Sequence, residues 1–169
     1  MRSTAGTIAI LLAAGTATGC GRTLEDGSYR FETTAVRQDS CSAEPQVELD
    51  LPDGAVTSAG ETVTIAFEAE GPLVPGLTGA SGQKALIGRY LPDKEEERFI
   101  ADASFDVVRE MAGLSCFVFA HASLQARVTG ETSFEGTLRI DYTRRPAAQA
   151  ACLPACVVEV EFAAARIGE

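Results

Sequence analysis

Apolar and polar residues alternate one by one through most long stretches of this 169-residue chain. A helix repeats its apolar positions every three to four residues and a strand every two, so the pattern selects strands with one dry face. In "GSYRFETTAV", Tyr29, Phe31 and Thr33 fall on one face, with Ser28, Arg30 and Glu32 on the other. "VELDL" places Val47, Leu49 and Leu51 inward, and "ETVTIAFEAE" does the same for Val63, Ile65 and Phe67. Weaker runs follow at 86–91 and 98–111, then three strong ones: "CFVFAHASLQARV", "TSFEGTLRIDY" and "CVVEVEFAAARI". With turn signals at "LPDG", "TSAG", "LPDK", "MAGL" and "TGET" between them, the chain is expected to hold about eight strands.

Short strands at such spacing make an all-β fold, an antiparallel meander that is barrel-like or, alternatively, a β-sandwich. The strand count and the hairpin expected at "TGET" suit the up-and-down barrel. Three segments break the rhythm: the Gly- and Pro-rich 71–83, the acidic turn "PDKEEER", and "RRPAAQAACLPA" before the last strand. No internal repeat or second domain boundary is visible, so residues 27–169 form one domain.

Before that domain, Arg2 is the only charge ahead of Cys20, and "TIAILLAAGTA" has the length of a signal-peptide core. A spanning helix needs ~20 apolar residues, so the run is too short for one. The stretch Ala17-Thr18-Gly19-Cys20 resembles the lipobox of bacterial lipoproteins, with Ala17 where Leu is usual. That resemblance implies a signal peptide at 1–19, lipidation at Cys20, a tether at 20–26 and a membrane partner reached through the anchor. Gly21 is not the Asp that retains such proteins in the inner membrane of enteric bacteria, which implies the outer membrane. Six residues from Cys20 to Gly27 span at most ~20 Å, so the domain would hug the bilayer. Cleavage by an ordinary signal peptidase after "GTA" is the other reading, and gives a periplasmic or secreted protein with a spare thiol.

The chain has five cysteines. Setting Cys20 aside leaves Cys41, Cys116, Cys152 and Cys156, an even set suited to disulfides in an oxidising compartment. Of the three possible connectivities, Cys41–Cys116 with Cys152–Cys156 is expected, because the latter two flank a tight Leu-Pro-Ala turn.

At its two ends the domain resembles lipocalin-like (calycin) barrels, which carry Gly-x-Trp on the first strand and Arg or Lys on the last. Gly27-Ser28-Tyr29 stands at the first position, with Tyr for Trp, and Arg166 at the last. The resemblance implies that Tyr29 and Arg166 meet and close one end, with the guanidinium over the ring.

Little in the chain suggests catalysis. A net charge of −10 opposes binding to nucleic acid. The single histidine excludes two-histidine zinc sites within one chain. His121 is in phase with Ser123, Gln125 and Arg127 and so faces outward. Ser81-Gly82-Gln83-Lys84 has the S-x-x-K spacing but lies in a Gly-rich loop without the companion motifs. Glu95, Glu96 and Glu97 read as a solvated turn, and Glu159 and Glu161 as the wet face of a strand. No catalytic residue, metal ligand or cofactor is expected. An eight-stranded barrel is either filled by side chains or holds one small ligand. The inward row Val118, Ala120, Ala122 and Leu124, with Val158, Val160 and Phe162, is small and without polar groups, so it suits an apolar ligand. The alternative is a non-enzymatic adaptor that docks an envelope partner, of unknown identity, through its loops.

Overall fold

The computed structural model describes residues 23–41, 49–67, 85–92, 97–111, 114–144 and 155–168, with side chains throughout except at 107–111, 114–118 and 144. The alternating runs fold as β1 (Gly27–Asp39), β2 (Gly54–Ala59), β3 (Thr62–Phe67), β4 (Leu86–Tyr90), β5 (Arg98–Met111), β6 (Leu114–Gly130), β7 (Ser133–Arg144) and β8 (Cys156–Arg166). Each pairs antiparallel with its neighbours in chain order, and β1 also pairs with β8. The result is a closed eight-stranded meander barrel rather than a sandwich.

One strand is not where the sequence puts it. Leu49 and Leu51 of "VELDL" are buried but lie outside any strand, and the second strand is Gly54–Ala59 instead. The Leu49 carbonyl is satisfied by a side chain, the hydroxyl of Thr33, and needs no ladder partner. In β2 only Val56 and Gly54 are buried, which leaves almost no apolar alternation to read. Gly54 is small for a reason: a Cβ there would stand 3.3 Å from the Phe31 ring. The calls at 71–83 and Ser81–Lys84, and at Glu95 and Glu96, fall outside the described residues.

Closing the barrel needs local devices. A Cβ on Gly88 or Gly136 would overlap the backbone of the next strand, so both mark tight corners. Two irregularities interrupt the β1–β8 ladder, at Thr33/Ala35 and Val36/Gln38. They keep Thr33, Val36 and Asp39 opposite Phe162, Val160 and Val158, so the closing strand stays in phase with its partner's inner face. β2, β3 and β4 span 5–6 residues, whereas β1 and β5–β8 span 11–17. The wall is therefore tall on one side only.

The outer faces of β1 and β6–β8 carry ion pairs. Arg139 bridges Asp141 (2.8 Å) and Glu159 (3.0 Å), Arg127 pairs with Glu135, and Arg37 with Glu161. Such exposed pairs contribute ~0–1 kcal/mol each. They matter more as a sign of environment, since a bilayer-spanning barrel carries an apolar band outside. This wall is built to face water.

Candidate functional site

The interior divides into two halves along the barrel axis. At the end where β1 begins and β8 finishes, the rings of Tyr29, Phe31, Phe67, Phe99, Phe134 and Phe162 fill the space. Phe134 lies at their centre, with centroids 5.4–5.9 Å from Phe99, Tyr29, Phe31 and Phe162. Small neighbours make room for them: Phe99 and Phe162 share a layer with Ala126 and Gly136. Tilted and edge-on contacts of this kind add ~0.5–1.5 kcal/mol per pair beyond burial itself.

Towards the other end the wall changes character. Ala101 and Ala103 on β5 stand beside Leu124 and Ala122 on β6, and Phe105 beside Ala120. Ala122 continues across Ile140 to Val158, and Leu124 across Leu138 to Val160. All of these except Ala103, which is half-buried, are buried. The sequence-derived residues Ala120, Ala122, Leu124, Val158 and Val160 thus come together on one continuous inner wall of aliphatic side chains, bordered toward the rim by the buried Tyr142 opposite Ala120 and by Asp39 opposite Val158. Phe162 faces inward too but belongs to the ring cluster, 5.6 Å from Phe31. The side chain of Val118 lies outside the described ones; its backbone pairs with Val107 and Arg144. Ala101 and Ala103 were missed from sequence, although "FIADASF" does alternate in phase with them.

The ring-filled end is closed by the chain itself. Residues 23–26, assigned to the tether from sequence, lie against the mouth. Leu24 is buried and its N–H donates to the Tyr90 hydroxyl (3.1 Å), which also bonds Ser58 (2.7 Å). The Glu25 N–H donates to the Glu131 carbonyl (2.8 Å) in the β6–β7 turn, and Asp26 accepts from the Ser58 N–H (2.6 Å) on β2. The segment therefore bonds three separate parts of the rim.

Tyr29 and Arg166 are direct cross-strand neighbours in the β1–β8 ladder at this end. Tyr29 is fully buried and its hydroxyl donates to the Glu25 carbonyl (2.8 Å). Burial pushes its phenol up to about 12, an effect that the nearby Arg166 charge partly opposes. The Arg166 guanidinium reaches the Glu25 carboxylate (2.5 Å) and passes over Gly27, where a Cβ would meet Nε at 2.6 Å.

At the alanine-lined end, Cys41 is bonded to Cys156, with Cα atoms 5.0 Å apart. This corrects the expected pairing of Cys41 with Cys116 and of Cys152 with Cys156. The physical reason is the closure itself, since β1 and β8 are adjacent and their ends at this rim bring the two residues together. The side chain of Cys116, together with Cys20 and Cys152, lies outside those described.

His121 sits on the outer face, its Nδ1 2.9 Å from the Ser104 hydroxyl. Among the described residues, no three His, Cys, Asp or Glu side chains gather to hold a metal ion. No protein-family model, curated protein or solved structure matches the chain.

Proposed function

We propose that the protein is a lipid-anchored β-barrel of the bacterial cell envelope that takes up a small apolar molecule in its alanine-lined half and catalyses no reaction. The patch of Ala101, Ala103, Ala120 and Ala122 on adjacent strands carries the ligand reading. Each of these side chains reaches one carbon into the barrel, and Ile140, Val158 and Val160 extend the same apolar wall. Burying a charge there without a partner would cost several kcal/mol, whereas apolar surface gains ~25 cal/mol per Å². The anchor is supported by Cys20 behind a short apolar run and by the odd cysteine count. The charged outer wall suits a domain tethered to a membrane rather than embedded in it. The absence of catalysis is supported by the outward position of the single imidazole beside Ser104.

Titration with a fluorescent fatty acid tests the carrier reading. Wild-type protein should show saturable uptake, and Ala122→Phe should lose it while still melting cooperatively. Overpacking costs ~1–3 kcal/mol, so the melting curve separates a filled site from an unfolded chain. Absence of saturable uptake by the wild type sinks the carrier reading.

Docking to an envelope partner would then take its place, and a specific feature favours it. Ile87 (60% exposed) and Ile100 (38%) lie on the outer face of adjacent strands, and Ile100 borders a hollow of about 310 Å³.

A further inference from the structure

We infer that the end closed by residues 23–26 is the face that the protein turns toward the lipid surface. The inference rests on the reading that Cys20 carries the lipid. The chain is fixed to the barrel from Leu24 onward by the bonds to Tyr90, Glu131 and Ser58. Only Gly21, Arg22 and Thr23 separate Leu24 from Cys20, and four residue steps span at most ~14 Å. β8 runs 11 residues from Cys156 to Arg166 at the closed end, ~35 Å at 3.2–3.4 Å per residue, so the disulfide end stands well beyond the reach of the anchor.

The direction follows from where the segment is held. Its contacts lie on β4, on the β6–β7 turn and on β2, so it crosses the mouth instead of leaving along one wall. A chain pulled toward lipid from that position sets the mouth, rather than the charged side wall, against the headgroups. The partner of this face is therefore the headgroup layer of a bilayer. The alanine-lined half points away from the membrane, and an apolar molecule would reach it from the aqueous side.

The chain contains no tryptophan, so a single introduced indole reports its own depth without background. Glu61 is exposed at the closed end and Gln38 is exposed near the disulfide. The variants Glu61→Trp and Gln38→Trp would be prepared as the full, lipidated protein in phosphatidylethanolamine–phosphatidylcholine vesicles bearing a nitroxide on the headgroup. Glu61→Trp should be quenched severalfold more strongly than Gln38→Trp. Equal quenching, or the reverse order, in protein whose mass confirms lipid at Cys20 overturns the orientation alone. A native protein without lipid at Cys20, with neither indole quenched, overturns the anchor reading and the orientation together.

Discussion

The two halves of the barrel are made from the same strands yet solve opposite problems. Near the start of β1 the inner wall carries rings, and Leu24 seals the mouth while its N–H and that of Glu25 bond the rim. Past the middle of the tall strands the inner wall is mostly alanine and valine, with the rings of Phe105 and Tyr142 at the rim, and the closing feature is a covalent bond, Cys41–Cys156. Close packing secures one end and a cross-link the other. A barrel can thus be rigid where it is full and still keep its seam shut where its inner side chains are small.

The disulfide should show the largest effect. It joins residues 115 apart, so loop-closure entropy allows a stabilisation of up to ~5 kcal/mol. Replacing both cysteines (Cys41→Ala with Cys156→Ala) should lower the denaturation midpoint strongly. It should also speed amide exchange at Val158 and Val160 well before exchange at Phe134. Uniform loosening of both ends would break the comparison, and peptide mapping that found Cys41 joined to Cys116 would remove its basis.

Phe134→Ala tests the filled half. Truncating a buried Phe costs ~3–5 kcal/mol, and this ring has four ring neighbours, so the upper part of that range is expected. A loss under ~1 kcal/mol in thermal or chemical denaturation would mean that the rings do not carry this end.

Tyr29 offers the smallest effect and the most specific one. Its folded pKa of about 12 lies above the ordinary phenol value of 10, because burial disfavours the phenolate. The stability it contributes is complete below pH 10 and is lost as pH rises through 12, because the unfolded chain ionises first. The loss should be on the order of 2 kcal/mol. Tyr29→Phe should flatten that part of the stability profile, measured as denaturation midpoint against pH. A variant with the same alkaline decline as the wild type would place the cause elsewhere.

Much of the wall was legible because a strand's two-residue period is local. The runs through Tyr29 and Phe31, Val63–Phe67, Ala120–Val128 and Val158–Phe162 could each be read from their own residues, and all face inward as expected. β2 escaped because Gly54 and Val56 owe their places to the Phe31 ring and to partner strands, not to their own alternation. The phase of β1 past Thr33 escaped as well, since the two irregularities exist only against β8. The segment 23–26 looked like free tether, and nothing in "TLED" announces that three distant parts of the rim will bond it.

By itself the sequence determined the class of fold and, for seven of the eight strands, which face is dry, because alternation is written residue by residue. Tertiary structure decided which half is full, which end is sealed and which cysteines meet. Those outcomes depend on register around a closed ring, where residues 115 apart in the chain become neighbours, and no local pattern encodes that distance.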